Sequence, residues 1–192
     1  MNEQDLRLAW PELRDWAPVG MNESVFRVRT PSGQTAFLRP DDDSGPLLKR
    51  LRKQGAVPVP LVIESANGWL LLEGLAGSPL HEAAWLERPA EAASIVAQAL
   101  LHLESADVTH GDLCLPNILG NLGSGFLSGI IDWRYANRFE REVDVAGAIW
   151  SCRLNGRYGV EMAVTVLEQI GWPRRDPTEV TRLCEVWTSL SE

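Results

Sequence analysis

The spacing of apolar residues differs between the first and second parts of this chain, and this change constrains the fold more than any other sequence feature. In the first part, VFRVRT at 25–30 alternates apolar and polar residues with a period of two, as a half-buried strand does. The turn residues PSG follow at 31–33, and QTAFLRP at 34–40 repeats the alternation. These three segments together predict a β-hairpin.

A second hairpin and one helix complete the first part. VPVPLVIES and GWLLLEGL have the composition of strands, and the pair Asn67-Gly68 between them is a strong hairpin signal. Residues 46–54 place three leucines on one side of a predicted helix. We therefore expect about five strands and one helix before the middle of the chain.

The remainder of the chain has the apolar spacing of helices. Within 89–104, apolar residues recur at steps of three and four, which predicts a stripe facing a core. Further helices are predicted over roughly 142–153, 157–170 and 177–189. A β-rich part followed by a helical part indicates an α+β protein of two lobes, joined near 73–77.

Composition excludes several functional classes. With 45% apolar residues in 192, the chain can bury a core, and it has no apolar run of the roughly 20 residues that a membrane span needs. We expect a cytoplasmic protein that does not bind membranes. The net charge of −8 argues against binding nucleic acid through a basic surface, and it would suit a cationic small molecule. The three cysteines are scattered, which indicates reduced thiols rather than disulfides or a zinc site.

Polar residues with a chemical use occur in HGDLCLPNIL at 110–119 and SGIIDW at 128–133. Phosphoryl transfer requires a group that accepts the proton of the attacking hydroxyl, and metal ions that neutralise the phosphates. Asp112 can accept the proton, while Asn117 and Asp132 can offer oxygen ligands to Mg²⁺. Either Asp112 or Asn117 alone would be typical of a turn that caps local backbone groups. The joint pattern favours a nucleotide and metal site.

These segments resemble the catalytic and metal-binding segments of the aminoglycoside phosphotransferases, which are relatives of the protein kinases. The kinase catalytic loop has an H-R-D triplet and an asparagine five residues after the aspartate, and this chain has His110-Gly111-Asp112 and then Asn117. The resemblance extends to REVDVAGAIWSC, LEQIGWPRRDPTEVTRL, APVGMNESVFRVRTPSGQTAFLRP and WLLLEGLAG. It implies a two-lobed protein-kinase-like fold, with a nucleotide-binding lobe over 1–74 and a helical catalytic and metal-binding lobe over 75–192.

The resemblance also implies individual roles. Asp112 would be the catalytic base, His110 a hydrogen-bonding brace, and Asn117 and Asp132 ligands of Mg²⁺ that also lie against the nucleotide. Contacts to the nucleotide would come from the loop ending at Ser24, from Arg39, and from backbone groups near Glu73 to Leu75. In this arrangement Gly20–Ser24 would cover the phosphates, and Glu73 to Leu75 would take the edge of the adenine.

Three departures from the family pattern concern the nucleotide and the acceptor. Arg39 stands where the family has a lysine, and arginine differs in reach and geometry, so a phosphate contact and a surface ion pair both stay open. The glutamate that pairs with that lysine would fall near Gly45, and the candidates to replace it lie within 41–43. The chain also lacks the family's extra helices along the substrate cleft, which leaves open a homodimer in which a second subunit completes the site.

We therefore expect Mg²⁺-dependent transfer of the γ-phosphate of ATP or GTP to a hydroxyl of a small molecule. An aminoglycoside or similar cationic amino sugar is the first acceptor to test, with antibiotic resistance as the corresponding role. The alternative is a catalytically weakened pseudokinase that binds nucleotide, or an interaction module. Arg39, the missing glutamate and the lost cleft helices favour the alternative, whereas Asp112, Asn117 and Asp132 favour the enzyme.

Overall fold

The computed structural model describes residues 3–19, 24–154 and 158–190, and the chain divides into two compact units. One unit comprises Met1–Arg50 with Pro60–Leu75, and the other comprises Leu51–Val59 with Ala76–Glu192. The sequence-based lobe boundaries, 1–74 and 75–192, remain a prediction.

The first unit is built on a five-stranded antiparallel sheet with the strand order β1-β2-β3-β5-β4. Its strands are β1 (Arg14–Pro18), β2 (Phe26–Arg29), β3 (Thr35–Pro40), β4 (Val62–Ala66) and β5 (Trp69–Glu73). Helix α1 (Glu3–Ala9) belongs to this unit, and helix α2 (Gly45–Gln54) begins in it and ends in the other unit. Both predicted hairpins are confirmed, since β2 pairs with β3 and β4 with β5. Helix α1 was not predicted from the apolar spacing.

Alternation along the strands places one core cluster of this unit on one face of the sheet. In β2, Phe26 and Val28 are buried and the two arginines beside them are exposed. Trp10, which follows α1, and Leu38 of β3 belong to the same cluster. At the turn between β4 and β5, Asn67 and Gly68 have φ of 54° and 76°, which is the backbone that the Asn-Gly signal predicts.

The second unit contains five helices and a small sheet of order β6-β7-β8. The elements are β6 (Ser78–Pro79), α3 (Ala83–Leu86), α4 (Pro89–Ser105), β7 (Ile118–Asn121), β8 (Phe126–Ile130), α5 (Arg141–Leu154), α6 (Gly159–Gln169) and α7 (Pro177–Leu190), with a short 3₁₀ helix at Leu115–Asn117. The four predicted helices are confirmed within a few residues. The strand predicted to end at Asp132 ends at Ile130, so Asp132 lies in the loop beyond it.

Helix α4 lies at the centre of this unit. Its apolar stripe is almost completely buried, as the sequence predicts; its members include Ile95, Val96, Ala99, Leu100 and Leu103. At its N-terminal end, the Trp85 indole N–H donates to Ser78 Oγ at 3.0 Å. None of the helices that lie in the described ranges has the length and apolar character to cross a membrane.

Replacement of Gly120 by alanine should test the packing of β7 against α3 and α4. A Cβ atom at Gly120 would lie 2.5 Å from Trp85 Cζ2 and 2.9 Å from Ile95 Cδ1, so the ring or the strand must move. We expect Gly120→Ala to lower the free energy of unfolding by about 1–3 kcal/mol in urea denaturation. At Gly123, the nearest atom to such a Cβ is Asn121 Oδ1 at 3.3 Å. Gly123→Ala is the matched control, and an equal loss in both variants would contradict this account.

Candidate functional site

Asp144 of α5 anchors the loop that begins at His110. Its Oδ2 accepts the backbone N–H of His110 at 2.8 Å, and its Oδ1 accepts the backbone N–H of Gly111 at 2.7 Å. Asp144 is 1% exposed, and burial raises its pKa to about 6, with the charge of Asp112 acting in the same direction and the two hydrogen bonds opposing it. Asp144 is therefore mainly ionised at neutral pH.

The sequence carries one signal that can locate this anchor. Asp144 stands next to a run of apolar residues in α5 that are buried together with it. A buried carboxylate on such a helix must find hydrogen-bond donors, which backbone N–H groups of a nearby loop can supply.

His110 connects this loop to the segment that follows β8. Its Nε2 donates to the Ile131 carbonyl at 2.8 Å, and its Nδ1 accepts the backbone N–H of Asp112 at 3.3 Å. Because the carbonyl can only accept and the amide can only donate, the ring is neutral with its proton on Nε2. Burial lowers the pKa of His110 to about 4, in agreement with this state. Trp133 packs edge-on against the ring at a centroid distance of 4.9 Å.

Ile131 receives contacts from both ends of the loop. Its carbonyl accepts from His110, and its own N–H donates to the Asn117 carbonyl at 3.0 Å. This pair of hydrogen bonds brings the 110–117 loop against Asp132, the next residue. The pKa of Asp112 is raised, first by burial and then by the negative charge of Asp132, so these two carboxylates interact through space.

Asn117 lies in the 3₁₀ helix and is buried. Its Nδ2 donates to the Asp112 carbonyl at 2.8 Å and to Asp112 Oδ2 at 3.3 Å. The carboxamide oxygen therefore lies on the side of the amide away from these contacts. An amide oxygen with a neighbouring carboxylate fits the ligand preference of Mg²⁺, so Asn117 and Asp132 suit such an ion chemically.

Asp132 has a partner that the sequence analysis did not anticipate. Arg134 donates from Nε to Asp132 Oδ1 at 2.9 Å and from Nη2 to Oδ2 at 3.0 Å, a bidentate pair. Asp132 itself has φ of 64°, in the left-handed region. Within the described residues, no three His, Cys, Asp or Glu side chains are arranged to hold a metal ion. Ligation of Mg²⁺ here would therefore depend on oxygen atoms from phosphates and water as well.

Cys114 is a partly buried free thiol. Its Sγ accepts from Asn117 Nδ2 at 3.4 Å. Burial, followed by the charge of Asp112, raises its pKa to about 12, so the thiolate that would act as nucleophile or metal ligand is not formed at neutral pH.

The backbone at position 111 explains why the His-Gly-Asp triplet has glycine in its middle. Its φ is +81°, and a Cβ atom at this position would lie 2.8 Å from Tyr135 Cβ and closer still to the Tyr135 carbonyl oxygen. Tyr135 therefore covers this part of the loop backbone directly. Gly111 and Asp112 form one side of a cavity of about 290 Å³.

In the first unit, Arg39 is held by the loop that follows β3. Its Nη1 donates to Asp42 Oδ2 at 2.5 Å and its Nη2 to Ser44 Oγ at 2.6 Å. Burial opposes ionisation of Asp42, but hydrogen bonds from Arg39 and Ser44 outweigh it and lower the pKa of Asp42. Of the three aspartates that could replace the missing glutamate, Asp42 is the one that pairs with Arg39. The ion pair is therefore present, and a phosphate contact stays a prediction.

The other positions predicted to contact the nucleotide are only partly described. Ser24 is exposed in the turn before β2, residues 20–23 lie outside the described residues, and Val19 N–H donates to the Val25 carbonyl at 2.8 Å. The Glu73 N–H donates to the Leu61 carbonyl at 2.9 Å, so this N–H serves the sheet. An adenine contact at the Glu73 carbonyl or at Leu75 stays a prediction.

Comparison with known proteins agrees with this geometry. Residues 90–178 match the profile of the family described as "Phosphotransferase enzyme family" (APH). The crystal structure of an aminoglycoside-3'-phosphotransferase of type VIII matches with a TM-score of 0.75 and 20% identity, over 96% of this chain and 97% of that chain. The GDP and kanamycin complex of APH(2")-IIia matches with a TM-score of 0.69 and 14% identity, over 97% of this chain and 87% of that chain. The macrolide 2'-phosphotransferase MphH from Brachybacterium faecium matches with a TM-score of 0.60 and 16% identity, over 97% of this chain and 88% of that chain. Curated protein sequences gave no match.

The protein has the kinase-like α+β fold of the antibiotic phosphotransferases, and the predicted fold class is confirmed. Residues 90–178 match the model of the phosphotransferase enzyme family, in agreement with the resemblance seen in HGDLCLPNIL.

The pKa of His110 predicts a measurable dependence of stability on pH. The unfolded chain takes up a proton at this residue near pH 6.5 and the folded protein does so only near pH 4, so the contribution of His110 to stability is lost as the pH falls between these values. Compared with His110→Gln, the native protein should lose about 2 kcal/mol between pH 7 and pH 5. Urea denaturation of both proteins at the two pH values measures this change. A constant difference between them would show that His110 is not held neutral.

Proposed function

We propose that this protein transfers the γ-phosphate of a nucleoside triphosphate to a hydroxyl group of a small molecule. The observation that carries the proposal is the attachment of the 110–117 loop to Ile131 by two hydrogen bonds, which brings Asp112 and Asn117 close to Asp132. The family match over residues 90–178 supports the same reaction class.

In this proposal Asp112 accepts the proton of the acceptor hydroxyl. The upward shift of its pKa makes it a stronger base than an ordinary aspartate, which favours proton acceptance from an alcohol as the alcohol attacks. Its backbone N–H is held by His110 and its carbonyl by Asn117, so the position of the carboxylate is fixed by its neighbours. Preorganisation of this kind lowers the barrier because no rearrangement is needed during the reaction.

Asn117 and Asp132 would hold Mg²⁺ with the nucleotide, and the ion when bound would neutralise phosphate charge. Arg39 has five N–H donors, of which Asp42 and Ser44 use two, so the guanidinium retains donors for a phosphate oxygen. We assign the remaining nucleotide contacts to Ser24, Glu73 and Leu75, with ATP and GTP as the two candidate donors. One structural relative was solved as a complex with GDP and kanamycin, which supports testing guanine as well as adenine nucleotides.

Relatives of known structure suggest the first acceptors to test. One of them was solved with kanamycin bound and another is a macrolide 2'-phosphotransferase, so antibiotics of both kinds are suitable acceptors to test. A role in antibiotic resistance is part of this proposal. The cytoplasmic location and the homodimer remain predictions.

A second candidate function is nucleotide binding without transfer. The bidentate pair between Arg134 and Asp132 favours it, because a guanidinium there competes with Mg²⁺ for the same carboxylate. The two functions differ in whether phosphate reaches an acceptor when nucleotide is bound.

Replacement of Asp112 by asparagine separates the two functions. We expect Asp112→Asn to reduce phosphate transfer by at least about 100-fold, because the proton acceptor is lost, with nucleotide affinity changed by less than about twofold. Transfer is measured with γ-labelled nucleotide and affinity by calorimetry. Asp107→Asn is the control, since Asp107 is exposed and its φ of 51° suits asparagine. Equal transfer by the Asp112→Asn and native proteins would exclude this base, and nucleotide binding with no transfer by the native protein would favour the second function.

Replacement of Arg134 tests the competition for Asp132. We expect Arg134→Ala to reduce the Mg²⁺ concentration needed for half-maximal thermal stabilisation by nucleotide about fivefold, because a partly exposed ion pair of this kind is worth up to about 1 kcal/mol. Arg138→Ala is the control, because the guanidinium of Arg138 lies over the Tyr135 ring, as that of Arg134 does. An unchanged Mg²⁺ requirement in Arg134→Ala would contradict the competition.

A further inference from the structure

The cavity beside Asp112 has an unusual lining for an acceptor site that would receive a polycation. It has a volume of about 290 Å³, and Asp112 is the one carboxylate among its lining residues, which are Gly111, Asp112, Tyr135, Phe139, Val143, Trp187 and Leu190. Five of these seven residues have apolar or aromatic side chains. A cavity of this size holds one ring of a larger molecule rather than the whole of it.

Three large side chains at this cavity are exposed to solvent. Tyr135 is 37% exposed, Phe139 38% and Leu190 49%. Apolar surface grouped around a concave site commonly marks a place where a ligand binds, because the ligand removes that surface from water. Here these side chains line the same cavity as the residue proposed as the base.

The wall opposite the loop is held in place by helix packing. Trp187 of α7 lies against Gly147 of α5, where an added Cβ atom would come within 2.7 Å of the indole ring. Trp150 of α5 packs against the same ring at a centroid distance of 6.0 Å. The aromatic surface is therefore present before any ligand arrives, so little ordering would be needed on binding.

The charges near the cavity are unfavourable for a polycation. The guanidinium groups of Arg134 and Arg138 lie over the Tyr135 ring at 5.9 and 5.6 Å from its centroid. A ligand with several ammonium groups would lose their hydration and would find a single carboxylate lining the cavity. The nearby Asp132 is already paired with Arg134, and Arg138 adds a positive charge beside the Tyr135 ring.

We propose that this cavity binds the acceptor, and that the acceptor is an alcohol with an apolar face and at most one cationic group. This inference rests on the proposed function. In the reaction, the hydroxyl oxygen forms a bond to the γ-phosphorus, and the bond from that phosphorus to the β–γ bridging oxygen breaks. The nucleoside diphosphate leaves, and the hydroxyl proton passes to the Asp112 carboxylate.

The test compares two probes by calorimetry on the full chain. Erythromycin has a largely apolar ring, several hydroxyls and a single amine, whereas kanamycin is polar and carries several amines. We expect the native protein to bind erythromycin at least about tenfold more tightly than kanamycin. Phe139→Ala should weaken erythromycin binding about tenfold, because an aromatic wall is lost.

Phe126 provides a matched control. It is 63% exposed at the start of β8 and does not line the cavity, so Phe126→Ala should leave both affinities within about twofold. Phe139→Glu should weaken erythromycin and strengthen kanamycin, since it adds a carboxylate at the same place, and Phe126→Glu should do neither. Thermal denaturation of each variant verifies that it is folded.

The outcomes separate this inference from the proposed function. If nucleotide fails to bind but erythromycin binds in a manner that depends on Phe139, the proposed function fails and the cavity is still a binding site. If phosphate transfer occurs and kanamycin binds more tightly than erythromycin without dependence on Phe139, the acceptor inference is overturned. Failure of both probes to bind at millimolar concentration would overturn it as well.

Discussion

The arrangement around the proposed base depends on one buried carboxylate that accepts two backbone N–H groups. Without Asp144, the amides of His110 and Gly111 would be buried with no acceptor, at a cost of about 1–3 kcal/mol for each. The interaction also fixes where the loop starts relative to α5. Once His110 is placed, its ring reaches the Ile131 carbonyl and the remaining contacts of the site follow.

Two buried ionisable groups in this region, Asp144 and His110, have opposite effects on the stability of the folded state as the pH changes. Asp144 has its pKa raised from 3.8 to about 6, so its contribution favours the folded state more as the pH falls through this interval. His110, with its pKa lowered to about 4, acts in the opposite sense over nearly the same interval. The two contributions therefore oppose each other in mild acid.

Much of this arrangement could be predicted from the sequence because local patterns specify it. Strand alternation and Asn67-Gly68 specify hairpins, and the five-residue step from Asp112 to Asn117 specifies a loop of known type. The pair of Arg134 with Asp132 depends instead on a left-handed backbone at Asp132, which no neighbouring glycine or proline announces. Helix α1 was missed because seven residues are too few for a clear periodic signal. The partner of Arg39 could be limited to three aspartates from the sequence. Only the conformation of the loop shows that Asp42 is the one.

Helix α5 supports the site at two positions about one turn apart. Asp144 accepts hydrogen bonds from the loop, and Gly147 leaves space for the Trp187 ring. A displacement of α5 would therefore move the proposed base and one wall of the cavity together. We expect selection against mutations that shift this helix. Phe139 and Leu190, in contrast, line the cavity with apolar side chains that form no hydrogen bond to the loop. Drift at these two positions offers descendants of this protein a route to new acceptors that leaves the machinery of transfer untouched.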